Sequence, residues 1–240
     1  MNKKLRMATV MVVFLLPLLI VAGCKKETGL PKETQELLWR GKRTKPFGVF
    51  EYSDLSKETT ESILKEKFAV SLSVLPAKAE RILDHKFLVD SNEKGVVTYT
   101  IEAKENKLFV RGFYPYEHTG TLAVFAYIDS EYHYIPESEQ VVLVDQMISL
   151  SNRGEVSAFQ PKNIEALLQK LGELVRVENL TVALTKFKEH GKGIKSEELE
   201  VSDNGKDAYK KKKIHSSLYV GVNEKSEIKE IYARLTDYRE

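Results

Sequence analysis

The spacing of apolar positions changes period several times along this chain, and each change predicts an element. Residues 7–21 form an apolar run without a charge. At about fifteen positions it falls short of the roughly 20 that a membrane-spanning helix needs, and Pro17 weakens a continuous helix within it. A polar stretch over residues 25–32, with Gly29 and Pro31, follows as a tether. A helix is predicted to begin near Thr34, burying Leu37, Leu38 and Trp39 and ending at Gly41. Residues 47–52 alternate apolar and polar as a short strand does. Ser56 then offers an N-cap to a helix carrying Ile63, Leu64 and Phe68, with Glu58 in its first turn and Lys65 and Lys67 in its last. A second helix uses Pro76 in its first turn and carries Ala79, Ile82 and Leu83, ahead of a turn over residues 90–95.

From residue 96 the period falls to two. Val97, Tyr99 and Ile101 alternate with threonines and Glu102, Glu105-Asn106 makes a tight turn, and Leu108, Val110 and Phe113 return, which is a hairpin pattern. Residues 121–128 and 140–150 read as further strands, the second so apolar that a central place in a sheet is expected. Gly154 separates it from a short run ending at Phe159. After Pro161 the period lengthens again, with Ile164, Leu167, Leu168, Leu171 and Leu174 along one helical face. Asn179 can cap a further helix holding Leu180, Ala183, Leu184 and Phe187, closed by Gly191. Residues 192–213 are highly charged, and residues 217–222 and 228–235 form a second hairpin pattern. The fold class expected is α+β, an antiparallel sheet with packed helices. The order helix, helix, hairpin occurs twice, over about residues 56–113 and 161–235, so two such units are a possible plan.

The start of the chain changes the picture of where this domain works. Lys3, Lys4 and Arg6 precede the apolar run, and Val21-Ala22-Gly23-Cys24 ends it with small residues before the single cysteine. This arrangement resembles the lipobox of bacterial lipoprotein precursors. The resemblance implies cleavage before Cys24, with Val21, Ala22 and Gly23 as the signal-peptidase recognition residues, and a diacylglyceryl group with palmitate-type acyl chains on the Cys24 sulfur. The expected organisation is a leader over residues 1–23, a tether over 24–33 and one extracytoplasmic domain over 34–240. Two acyl chains hold far more firmly than the single chain that gives only marginal membrane binding. Removing the first 23 of 240 residues leaves 217 and takes away three cations and no acid. Lys+Arg falls from 37 to 34 against 35 Asp+Glu, so a side-chain charge of +2 becomes −1. A general nucleic-acid role therefore lacks the basic excess it normally shows. With Cys24 lipidated, no internal disulfide is available, and stability must come from an apolar core.

Candidate chemistry is sparse. His85, His118, His133, His190 and His215 stand nowhere at helical i, i+4 spacing, and HExxH and CxxC patterns are missing. His133, with Glu131 and Glu137 nearby, is the most ligand-like, but on a strand Glu131 and His133 share one face and Tyr132 and Tyr134 the other. No GxSxG motif and no glycine-rich phosphate loop occurs. No catalytic residue, metal ligand or cofactor site is therefore assigned. Aromatic residues concentrate instead: Phe109, Phe113, Tyr114, Tyr116, Phe125, Tyr127, Tyr132 and Tyr134. Most suit cross-strand packing, while Tyr114-Pro115-Tyr116-Glu117-His118-Thr119-Gly120 reads as an exposed turn. Tyr114, Tyr116 and His118 are accordingly the candidate interaction surface. The lysines at 210–213, beside Tyr209, read as a solvated turn.

The element order is similar to that of families built from one or two helix-helix-sheet units, the outer-membrane assembly lipoproteins and β-lactamase-inhibitor-like domains, with Leu168-Gln169-Lys170-Leu171-Gly172 as the only local likeness. No residue role carries over from it. The expectation is a membrane-anchored lipoprotein of the cell envelope that binds a protein partner without catalysis, held on the extracytoplasmic face of the cell membrane. In a Gram-negative host, Lys25 after Cys24 fits the outer membrane. Two alternatives stand beside it: an envelope hydrolase with an unfamiliar site, and a leader whose residues 16–23 supply a peptide pheromone.

Overall fold

A computed structural model describes residues 37–83, 92–153, 164–190, 198–224 and 227–239. Val21, Ala22, Gly23, Cys24, the tether, Gly154, Phe159, Pro161 and Gly191 lie outside the described residues. The chain runs β1 (Arg40–Lys42), β2 (Gly48–Leu55), α1 (Lys57–Ile63), α2 (Leu75–Leu83), β3 (Asn92–Lys94), β4 (Thr98–Glu105), β5 (Lys107–His118), β6 (Thr121–Ile135), β7 (Gln140–Asn152), α3 (Ile164–Leu174), α4 (Leu180–His190), β8 (Glu198–Asp203), α5 (Gly205–Lys210), β9 (Ile214–Val222) and β10 (Ile228–Asp237). The protein is α+β, dominated by one antiparallel sheet in the order β2-β4-β5-β6-β7-β10-β9-β8. β1 pairs with β7 over Gln140 to Val142, beyond the reach of β10, and β3 pairs with the end of β5. The apolar strand β7 is central, as its composition predicts.

Burial follows the period of two closely. In β6 the inward positions Val124, Ala126, Ile128, Tyr132 and Tyr134 are buried, while Phe125, Tyr127, Asp129, Glu131 and His133 between them are half-buried. Helices α2, α3 and α4 cover this inward face of the sheet. The α3 stripe predicted from spacing holds: Leu167, Leu168 and Leu171 are fully buried, with Ile164 and Leu174 packed at its margins. Each such leucine contributes about 1.5–3 kcal/mol relative to an exposed one. A second cluster lies under α1, where Leu64, Phe68 and Phe47 meet Ile101, Leu108, Val110, Tyr132 and Leu143. Leu55 and Leu72 pack against both clusters.

The Ser56 cap is present, its hydroxyl accepting from the Thr59 amide at 3.2 Å. After Ile63 the helix widens into a π-helical turn, Leu64–Phe68, and ends at Ala69 in the left-handed region (φ 54°). Arg43 closes that end: its guanidinium donates to the carbonyls of Phe68 (2.8 Å) and Pro46 (2.9 Å). Burial lowers the Arg43 pKa, partly offset by Tyr134. A buried polar node ties the chain's first described residues to the sheet. Gln146 Nε2 donates to the Leu37 carbonyl at 2.6 Å, the Ser73 hydroxyl donates to Gln146 Oε1, and Ser73 Oγ accepts from the Leu75 amide at 3.1 Å.

Several expectations need correction. Residues 37–41 are not helical: Gly41 lies in β1, Leu143 donates its amide to the Trp39 carbonyl at 2.9 Å, and Trp39 packs edge-on against Tyr132. Pairing with β7 overrides the local helix signal there. Residues 92–94, read as part of a turn, are β3. The charged stretch holds β8 and α5. Asn179 precedes α4 with φ 52°, a conformation asparagine tolerates, and its carbonyl accepts from the Val182 and Ala183 amides.

Candidate functional site

The strand β5 does not stop before Tyr114. It continues through Tyr114, Tyr116 and His118, whose backbone partners on β6 are Ala126, Val124 and Thr121. The turn is only Thr119 and Gly120, both at positive φ (50° and 74°). Tyr114 and Tyr116 point inward and are 0% and 4% exposed, so neither offers a contact surface. Tyr114 shares a 2.7 Å hydroxyl hydrogen bond with Tyr99, and burial raises the pKa of both. Gly112 leaves the room for this pair, since a Cβ there would stand 2.7 Å from the Tyr114 ring. The aromatic concentration divides by strand parity. Tyr114, Tyr116, Tyr132 and Tyr134 enter the core, whereas Phe109, Phe113, Phe125 and Tyr127 lie on the opposite face of the sheet.

That opposite face is the candidate site, and the strand register arranges its side chains in rows across the sheet. One row runs Thr98, Phe113, Tyr127, Ser149, Tyr232 and Tyr219 over six neighbouring strands. The next runs Thr100, Arg111, Asp129, Met147, Arg234 and Ser217, ending opposite Asp203 on β8. A third runs Glu102, Phe109, Glu131, Asp145, Thr236 and His215. Phe113, Phe125 and Tyr127 form a mutual cluster with ring centroids 5.1–5.9 Å apart. Two depressions, of about 350 and 520 Å³, share Met147 and Arg234 and so make one groove across these rows.

Several charges in the groove are paired. Arg111 grips Asp129 with two hydrogen bonds of 2.8 Å and lies over the Tyr127 ring. Arg234 donates to Asp145 at 2.8 Å, and the Thr236 hydroxyl donates to the same oxygen at 2.6 Å. Burial opposes ionisation of Glu131, but His133 (2.5 Å) and Lys107 (3.1 Å) outweigh it and hold the carboxyl below the usual range. Burial likewise opposes ionisation of Asp203, and is outweighed by the Tyr219 hydroxyl, the Gly205 amide at 2.5 Å and His215 at 2.9 Å. His215 Nε2 bonds Asp203 at 2.9 Å, while its Nδ1 is buried without a hydrogen-bond partner among the described residues. No group of three metal-ligating side chains occurs among the described residues, and His133 meets only Glu131 there.

The arrangement thus presents apolar rings beside pre-formed ion pairs, a surface suited to recognition. Sequence reasoning missed the Asp203, His215 and Tyr219 cluster because β8 hides in the charged stretch. The outward aromatics were visible in the alternation of β6. The fold and face define an α+β protein in which one layer of helices covers one side of a broad antiparallel sheet. Compared with known families, curated proteins and solved structures, the chain finds no match in any of the three. No helix among the described residues is long and apolar enough to cross a membrane.

Proposed function

We propose that this protein is a lipid-anchored lipoprotein of the cell envelope that binds a protein partner on the open face of its sheet. The address rests on the lipobox-like Val21-Ala22-Gly23-Cys24. The observation that carries the binding function is the outward row of half-buried aromatics, flanked by ion pairs and covered by no helix among α1 to α4. From β4 to β9 the face spans five strand spacings of about 4.8 Å, or about 24 Å, wide enough for a standard-sized interface. Tyrosine, phenylalanine and arginine are the side chains that anchor such interfaces. The two helix-helix-hairpin units belong to this proposal as the origin of the layered plan. α1–α2 with β4–β5, and α3–α4 with β10–β9, support it, although β3, β8 and α5 interrupt the repeat.

The test places photo-crosslinking side chains in the full-length protein in its own cells, at Met147 and Tyr232 on the face and at Lys170 on the exposed side of α3. A discrete adduct is expected from the two face positions only. Phe125→Ser with Tyr127→Ser should reduce it at least fivefold, the equivalent of about 1 kcal/mol. Cys24→Ala in the same cells should stop fatty-acid labelling and accumulate precursor. Equal adducts from Lys170, or adducts indifferent to the double substitution, would overturn the binding face. Undiminished labelling of Cys24→Ala would overturn the address.

A further inference from the structure

The helix α5 and the turn after it carry a charge pattern that the open face does not use. Over residues 205–213 there are five lysines, Lys206, Lys210, Lys211, Lys212 and Lys213, and one acid, Asp207. All five lysines are exposed. This local excess of four positive charges stands on a chain whose other side chains, beyond residue 23, are acidic, with 29 Lys+Arg against 34 Asp+Glu. Lysines at a helix C-terminus favour the helix dipole, which accounts for Lys210 and Lys211. It does not account for Lys206, for Lys212 and Lys213, or for Tyr209, whose side chain is 70% exposed.

The tip is also held in place. Ala208 is buried beneath it, and the turn closes through hydrogen bonds from the Lys213 amide to the Ala208 carbonyl (2.8 Å) and from the Lys211 amide to the Asp207 carbonyl (3.0 Å). Tyr209 rests edge-on against Tyr238 at 5.4 Å, and Tyr238 stacks on His215 at 5.7 Å. The exposed ring and the ammonium groups are therefore presented by a fixed backbone. An exposed tyrosine on a lysine-rich tip is a combination that sits at a bilayer's headgroup level, the ring at the interface and the cations on phosphates.

We propose that this tip, Tyr209 with Lys206 and Lys210 to Lys213, docks on an anionic phospholipid surface. It adds a second, electrostatic contact to membrane attachment and turns the domain so that the start of β9 faces the bilayer. The proposal shares the membrane address with the proposed function but is independent of the open face.

The experiment uses the full chain carrying Trp39→Phe and Tyr209→Trp, reconstituted in vesicles whose lipids bear bromine quenchers. The vesicles are either wholly zwitterionic or about one-third phosphatidylglycerol. Quenching of the introduced indole is expected in the anionic vesicles alone, and should fade in high salt as the charges are screened. Each lysine changed to glutamine should lower the docked-to-undocked ratio about fivefold. Equal quenching in both vesicle types overturns the proposal, as does quenching that survives replacement of all five lysines. An indole that responds to duplex RNA or soluble polyphosphate but not to anionic vesicles assigns the patch to another polyanion. Circular dichroism of the five-lysine variant confirms that a loss of quenching is not a loss of fold.

Discussion

Arg43 does at one position what no neighbouring residue can. Its planar fork spans the carbonyls of Pro46 and Phe68, stacks over Phe47 at 4.9 Å, and thereby joins the loop after β1 to the end of the π-helical turn. Arg43→Ala leaves both carbonyls without this donor in a half-dry site, an expected loss of about 2–3 kcal/mol in urea unfolding. Arg43→Lys should recover less than half of that, because a single ammonium cannot reproduce the fork. Full recovery by lysine would show that charge alone, not geometry, holds the turn. Nothing in the sequence around residue 43 announces this role, since the partners depend on how the chain folds back from β1.

At the scale of elements, strand parity decides what a tyrosine does. Tyr114→Ala should cost about 3–5 kcal/mol, the scale of an emptied aromatic site in a core, and leave Tyr99 without its hydroxyl partner. Tyr127→Ala should cost about 1 kcal/mol or less in stability and act on partner capture instead. Thermal unfolding of the two variants separates these roles, and equal destabilisation would contradict the division of the two faces. Much of the element plan was legible: the Ser56 cap, the α3 stripe, the β4–β5 and β9–β10 hairpins and the central place of β7 all follow from local spacing. What was not legible depends on partners remote in sequence. Residues 40–42 become a strand because β7 offers a free edge there, and Tyr114-Pro115-Tyr116 stays extended because β6 pairs along its whole length. The candidate site was half visible: its aromatics were noticed but assigned to cross-strand packing, and the contact surface was placed on Tyr114 and Tyr116 instead, because a proline between tyrosines resembles a break when the partner strand is unseen.

For the whole molecule, the two core clusters share Leu55 and Leu72 and one sheet, so they should melt together. Calorimetry is expected to give a single transition whose midpoint holds above about pH 5 and falls below about pH 4. The sign follows from the carboxylates. Burial opposes the charge of Asp237, but Arg239 at 2.7 Å and Arg40 at 3.7 Å outweigh it and leave its pKa depressed, as those of Asp203 and Glu131 are. Groups with depressed folded pKa values stabilise above their unfolded values, and that contribution disappears as the pH drops through the folded ones. Two resolved transitions, or a midpoint that rises on acidification, would contradict this account.

The place of β10 has a consequence in time. It is the last strand described along the chain, yet it lies in the interior of the sheet, between β7 and β9. Until it emerges, β7 keeps a bare hydrogen-bonding edge over residues 145–151 and β9 has only β8 beside it. A nascent chain therefore cannot finish its sheet early, however fast the β4 to β7 meander forms. Late delivery of the keystone strand keeps the sheet open, and under the export proposed above it leaves the chain unfolded for its passage through the membrane.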